Sequence, residues 1–174
     1  MTHRRLTGLL VLAFAIPPLA NAASTTLVAT LGHLLLGKGL SPTQARATAH
    51  SAAHHYHGTA LQSVLARIKG IPRLPARYYT NGALKAPVAG GLTQVLTSTF
   101  RHHASPRRVG TAAHTYTHAV ASGAPPQTTS QLLVSALKRG VSTAGLKTLV
   151  ANYLRKYKAG AFHKAQGALS RYGL

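Results

Sequence analysis

Histidine carries most of the chemistry available to this sequence, because the chain contains no Asp, Glu or Cys. His50 and His54 are four residues apart, as are His114 and His118, so each pair shares one face if its segment is helical. That spacing suits two ligands on Zn, Ni or Cu and predicts, as one alternative, a His-based metal-binding protein. The other interpretation is that these are solvated side chains, since no carboxylate is present to orient the rings. Further histidines lie nearby, at His55, His57, His102 and His103.

The permanent cations form the second group of residues with a chemical role. Lys and Arg together number 20, and no side-chain anion offsets them, so the summed field of the protein is strongly positive. Such cations contact the phosphates of nucleic acids and of lipid head groups. The alternative is a solvated face, because cations near helix ends also complement the helix dipole. The predicted polyanion-binding set comprises Arg101, Arg107, Arg108, Arg155, Lys156, Lys158 and Lys164.

The missing residue types exclude whole classes of reaction. Glycosidases of the paired-acid type, aspartic proteases and Ser-His-Asp hydrolases all need carboxylates, and so do calcium and magnesium sites. Without Cys there is neither a disulfide partner nor a thiol nucleophile. The sequence therefore predicts a protein that is not an enzyme and that carries no cofactor.

The count of zero carboxylates has two competing explanations. A globular chain of this length usually contains about 20 of them. A polyanionic partner would favour a deficit, whereas an acidic medium would protonate Asp and Glu, whose pKa values lie near ~4, and make them useless as charges. Polyanion binders usually keep some carboxylates for solubility and helix capping, so complete absence favours adaptation to acid. Both explanations stay open.

The first 22 residues have the organisation of a cleavable signal peptide. Two arginines precede an apolar run, Leu6–Ile16, and Ala20 and Ala22 supply the small residues that signal peptidase accepts. The run of 11 residues is shorter than the ~20 needed to span a membrane. Cleavage after Ala22 would leave a mature domain, 23–174, without a transmembrane segment, in the periplasm or secreted.

Apolar residues recur at helical spacing in several stretches of the mature chain. The clearest stripe has positions i, i+3, i+4, i+7, i+8 and i+11 within 146–157, and similar patterns occupy 27–35, 61–68 and 92–100. No alternating pattern of useful length indicates a strand. The predicted fold class is therefore all-α.

Similar junctions separate these stretches and suggest an internal repeat. Ser41-Pro42 resembles Ser105-Pro106, while Ser142 and Pro72 mark looser copies, so that the junctions lie 31, 33 and 37 residues apart. Ser is a good N-cap, and Pro at the next position is pre-set for the first helical turn. Periods of this size predict stacked helical hairpins.

We therefore expect about four helix–turn–helix repeats of roughly 34 residues and a final helix over 161–172. They would form a short α-solenoid or a compact helical bundle. The weakest part is 71–91, where three prolines and the turn-like Asn81-Gly82 favour a loop.

Composition and organisation together predict an exported, non-enzymatic binding or scaffold module at the cell envelope. Its expected contacts are an anionic polymer, a membrane surface or a protein partner, in an acidic medium. A periplasmic His-based metal-binding protein is the alternative.

Overall fold

The computed structural model describes the backbone of residues 19–158 and the side chains of residues 25–157. The described part is mostly α-helical, which confirms the all-α prediction at the level of fold class. The predicted final helix at 161–172 and most of the predicted signal peptide lie outside these residues. The helices are α1 (Leu19–Gly37), α2 (Pro42–His55), α3 (Gly58–Lys69), α4 (Ala86–Arg101), α5 (Pro106–Ala121), α6 (Pro126–Lys138) and α7 (Thr143–Lys158).

Three predicted serine caps are present. Ser41 forms a capping box with Gln44: its Oγ accepts from the Gln44 backbone N–H at 3.3 Å, and its own N–H donates to Gln44 Oε1 at 3.2 Å. Ser105 Oγ accepts from the Arg108 N–H at 3.3 Å. Ser142 Oγ accepts from the Gly145 N–H at 3.1 Å. The helices α2, α5 and α7 therefore begin where local sequence chemistry places them.

Four connections between helices share one turn geometry. A residue with positive φ follows the helix, and the N–H of the next residue donates to a carbonyl five positions back, as in a Schellman motif. Glycine occupies the first position in three of these turns, but His103 occupies it after α4, with φ of 46°. The N–H to carbonyl pairs are Leu40 to Leu35, Ala104 to Thr99, Ala124 to Ala119 and Val141 to Ala136, at 3.0–3.2 Å.

The connection between α3 and α4 is different and contains a small sheet that the sequence analysis missed. After a 3₁₀ turn, Ala76–Tyr78, strand β1 (Tyr79–Thr80) pairs antiparallel with β2 (Ala83–Leu84). Asn81 and Gly82, with φ of 51° and 79°, form the predicted turn between them. Strands of two residues are too short to show an alternating pattern. Helix α4 already begins at Ala86, inside the region expected to be loop.

The helices pack in order along the chain. Each helix contacts the helix two positions along the chain, which gives two rows. In one row α1 contacts α3, α3 contacts α5 and α5 contacts α7; in the other row α2 contacts α4 and α4 contacts α6. The turn at Ser41 leads into α2, whereas the turns at Ser105 and Ser142 lead into α5 and α7. The resembling junctions therefore enter different rows of helices, and the two histidine pairs lie on α2 and α5, one in each row.

The interior is built from the apolar stripes, and several buried hydroxyl groups in it donate to backbone carbonyls. Tyr116 is fully buried in α5, and its hydroxyl donates to the Val88 carbonyl of α4 at 2.8 Å. Gly91 makes room for that ring, since a Cβ there would lie 2.8 Å from Tyr116 Cζ. Other large side chains that are fully buried are Leu31, Leu35, Leu61, Ile68, Leu96, Phe100, Leu132, Leu133 and Leu146.

Among the described residues, no helix combines the length and the apolar character required to cross a membrane.

Candidate anion-binding site

A surface pocket of about 340 Å³ lies where α3, α5 and α7 meet. Each of these helices contributes one permanently charged side chain to the lining: Arg67 from α3, Arg107 from α5 and Lys147 from α7. The remaining lining residues are small, apolar or polar: Ala66, Gly70, Ile71, Gly110, Thr111 and His114.

The packing of α3 on α5 brings these residues together. Arg107, Thr111 and His114 lie on one face of α5 because their spacing is i, i+4 and i+7. On the same face, Gly110 allows α3 to approach closely, since a Cβ at Gly110 would lie 2.9 Å from Arg67 Cβ. Helix α7 packs on α5 and supplies Lys147. The pocket therefore depends on a helix contact that only a residue without a side chain permits.

The three cations of the pocket are available to a ligand. All three side chains are exposed, and within 25–157 none of them donates a hydrogen bond to another residue. The chain has no side-chain carboxylate that could neutralise them. Three like charges around one concave surface concentrate positive potential there.

Arg108, which is adjacent to Arg107, has a different environment. Its guanidinium Nη2 donates to the Val141 carbonyl, in the turn between α6 and α7, at 2.5 Å. The side chain is half-buried, and its Nε has no hydrogen-bond partner. Of the predicted Arg107-Arg108 pair, only Arg107 lines the pocket.

Two further cations also bind backbone carbonyls near helix ends. Lys38 Nζ donates to the carbonyl of Lys69, at 3.0 Å, and to that of Ile71, where α3 ends. Burial, and secondarily the charge of Arg73, lower the pKa of Lys38 from its usual value. Arg77 donates to the Ala121 carbonyl at the end of α5, at 2.7 Å. The negative end of a helix dipole thus takes the place of the missing carboxylates.

Among the described side chains, the other members of the predicted polyanion-binding set do not line this pocket. Arg101 is exposed at the end of α4. Arg155 donates to Asn152 Oδ1 at 3.3 Å on α7, and Lys156 is half-buried on the same helix. Lys158 ends α7 with a side chain outside the described residues, and Lys164 is outside them entirely.

Sequence reasoning missed Arg67 and Lys147. They lie on separate helices, Lys147 without a neighbouring cation and Arg67 with only Lys69 close by, so neither belongs to a dense basic run. A basic run contains charges that are neighbours along the chain, whereas the pocket joins charges at positions 67, 107 and 147, which are 40 residues apart. Only the packing of α3 and α7 against α5 brings them to one site.

The histidine rings form a cluster that the predicted pairs did not include, around His55. His55 contacts His54 of its own helix and His103 of the α4–α5 turn, with ring centroids 4.9 Å apart in both cases. Burial lowers the pKa of His55, and the charges of His103, His54 and Arg101 lower it further.

The four residues of the metal hypothesis are exposed. His114 and His118 stack with centroids 6.5 Å apart, whereas His50 lies in a separate groove between α1 and α2. Across the described part of the chain, no group of three or more candidate ligands is placed to hold a metal ion.

Comparison of the chain with protein-family models, with curated proteins and with solved structures finds no match. The interpretation of the pocket therefore depends on its own residues. Those residues define a concave, positively charged site on a helical protein, with arginine, lysine and hydroxyl donors suited to oxyanions.

Proposed function

We propose that this protein is an exported binding module, without enzymatic activity, that holds anionic polymers or anionic membrane surfaces at the cell envelope. The observation that carries the proposal is the convergence of Arg67, Arg107 and Lys147 on one pocket. Helices that are packed on one another hold the three charges together, so binding needs little reorganisation of the backbone. An anionic polymer or surface repeats its charge and engages the remaining exposed cations at the same time.

The compartment and the medium belong to the same proposal. Cleavage after Ala22 would remove two of the 20 Lys and Arg residues and keep the other 18 in the mature chain. Those cations have constant charge in acid, and a partner with strongly acidic groups, such as phosphates, stays anionic there as well. N-terminal sequencing of protein recovered outside the cytoplasm should begin at Ala23, and an intact Met1 would contradict export.

We also propose that the helices form a short α-solenoid of stacked hairpins. Contacts between helices two apart along the described chain support this arrangement. In such a stack, one row of helices presents a continuous surface, and α3, α5 and α7 belong to one row. An extended ligand could then lie across several helices of that row.

The test is the salt dependence of binding to duplex DNA and to vesicles of anionic lipid. If about six phosphates are contacted, log affinity should fall against log salt with a slope near −5. Combining Arg67→Gln, Arg107→Gln and Lys147→Gln should flatten the slope by roughly three units, since each contacted phosphate contributes about −0.9. The matched control combines Arg46→Gln, Lys85→Gln and Lys138→Gln, which removes three exposed positive charges outside the pocket and outside the predicted polyanion-binding set and should flatten the slope less.

If the two triple variants have equal slopes, the pocket is not the centre of the interface. If the wild type lacks salt-dependent binding, the proposed function is wrong. Metal binding by the pairs His50 and His54 or His114 and His118 is the competing function. Stoichiometric uptake of Ni or Zn near neutral pH, abolished by His-to-Ala substitution in these pairs, would establish it instead.

A further inference from the structure

We infer that the pocket between α3, α5 and α7 receives one terminal phosphate group, a phosphate monoester, that projects from its ligand. This inference rests on the proposed function and names the chemical group that the site selects. It concerns the phosphate group that the pocket prefers, whereas a polyanion held by charge engages the pocket cations and the surrounding cations together, without such a preference.

The number and type of donors match a phosphate monoester. Such a group has three terminal oxygens and a charge of about −1.5 to −2 at neutral pH. Two arginines offer forked N–H donors and the lysine offers a third, separate charge. A carboxylate has one charge and two oxygens, so it would leave part of this donor set unmatched. A phosphodiester has one charge and two terminal oxygens and has the same deficit.

The shape of the pocket favours a projecting group. Its small and apolar lining residues, Ala66, Gly70, Ile71 and Gly110, leave a space of about 340 Å³. That space corresponds to roughly ten waters at ~30 Å³ each, enough for a phosphate and the first atoms of its ester. The phosphates of a duplex are each flanked by two esters, which limits how far one of them enters a concavity.

Thr111 and His114 also line the site. The Thr111 hydroxyl is half-buried and the His114 side chain is exposed. A hydroxyl adds a directional hydrogen bond without adding charge. Thr111 therefore gives the pocket an uncharged donor beside its three cations.

A second groove of similar volume, about 360 Å³ between α1 and α2, supplies an internal control. It is lined by one permanent cation, Arg46, together with His33 and His50. With a single guanidinium, it should not distinguish a monoester from a diester. Substitution of Arg46 therefore removes a pocket-lining charge without touching the proposed site.

The experiment measures affinity for phenyl phosphate, dimethyl phosphate and acetate by calorimetry at pH ~7, where the monoester carries more charge than the diester, and at constant ionic strength. We expect phenyl phosphate to bind at least about tenfold more tightly than the other two. Arg107→Gln and Lys147→Gln should each weaken phenyl phosphate binding about tenfold, which is about 1.4 kcal/mol, because each removes a charge-assisted hydrogen bond to the phosphate. Arg46→Gln should leave the affinity unchanged, and circular dichroism of every variant checks the fold.

Vesicles distinguish the two sources of the group. Phosphatidic acid carries a monoester head group and phosphatidylglycerol a diester, so preference for the former, lost in Arg107→Gln, would make a lipid the source. Tight phenyl phosphate binding without that preference would make a soluble phosphate compound the source. The inference is overturned if monoester and diester bind equally, or if Arg107→Gln and Lys147→Gln both leave phenyl phosphate binding unchanged. Either result, with salt-dependent DNA binding retained, leaves the proposed function standing.

Discussion

The pocket between α3, α5 and α7 and the turns that join the helices contain the same kinds of side chain, with opposite consequences. At the turns, Lys38, Arg77 and, from within α5, Arg108 donate to backbone carbonyls at or near helix ends. In the pocket, Arg107 and its neighbours on α3 and α7 line an open concave surface. In a chain without carboxylates, a helix C-terminus is the main internal partner for a cation. A cation that reaches one contributes to the fold, and a cation that does not remains available to bind.

Tyrosine has the same role as the cations in the turns. Tyr56 donates to the Ala104 carbonyl at 2.5 Å, and Tyr78 donates to the Val120 carbonyl near the end of α5. Tyr56 also packs edge-on against Phe100, with centroids 5.8 Å apart. The connections are therefore held by donors that do not need a carboxylate as acceptor.

The largest expected effect separates Arg108 from Arg107. Arg108→Ala should lower the free energy of unfolding by about 1–3 kcal/mol, because it removes a hydrogen bond from a charged donor to the Val141 carbonyl. Arg107→Ala should change it by less than about 0.5 kcal/mol, as is usual for an exposed position. Urea denaturation measures both, and DNA affinity should show the reverse order. Equal stability losses would remove the distinction between the two regions.

The next effect tests how the pocket is built. Gly110→Ala places a Cβ 2.9 Å from Arg67 Cβ, an atom close to the α3 backbone, so the two helices must separate. Overpacking of this kind costs about 1–3 kcal/mol, and binding of phosphate in the pocket should weaken as well.

Gly90→Ala is the matched control, because no atom lies within 4 Å of a Cβ at that helical position. It should stabilise the protein by about 0.5–1 kcal/mol through helix propensity. Thermal melts of both variants give the comparison. A stabilising Gly110→Ala would show that the contact between α3 and α5 is loose.

The smallest expected effect is the change of melting temperature with pH that follows from the protonation of His55. Burial and the neighbouring His103, His54 and Arg101 lower the pKa of His55, so the folded state favours the neutral ring. The stabilisation of the folded state by the neutral His55 ring is fully present above the ordinary histidine pKa of ~6.5. It is lost as the pH falls through the lowered pKa that His55 has in the folded state. The melting temperature should therefore decrease slightly below neutral pH. His55→Gln should reduce that decrease.

Between pH ~5 and ~2 the melting temperature should be nearly constant, because no side chain of this sequence has an ordinary pKa there. At the alkaline end, burial raises the pKa of Tyr56 to about 12. The stabilisation of the folded state by the neutral Tyr56 hydroxyl is therefore present below the ordinary tyrosine pKa of ~10 and is lost as the pH rises above ~10.

The acid prediction has its own contradicting outcome. A steep loss of melting temperature below pH 4 would show that the C-terminal carboxylate or its surroundings matter more than the side-chain composition indicates.

The sequence alone determined the features that depend on neighbours along the chain. Ser41 and Ser105 cap helices because a hydroxyl at the N-cap reaches an N–H three residues later. Asn81-Gly82 turns because these residues tolerate positive φ at low cost. The apolar stripe over 146–157 buries Leu146, Val150 and Tyr153 as its period predicts. The absence of carboxylates, also a property of composition, means that cations bind backbone carbonyls or neutral side chains, or else face solvent.

Only the tertiary structure decided which cations bind backbone carbonyls and which cations line the pocket. Arg107 and Arg108 are identical in type and adjacent, and they differ because successive residues of a helix point about 100° apart. One direction leads to the open surface beside α3 and α7, and the other to the carbonyl of Val141. Arg67 and Lys147 join the pocket because α3 and α7 pack against α5, with Gly110 permitting the close approach of α3. No local pattern encodes a contact between positions 40 residues apart, so this site followed from packing and not from the sequence motif.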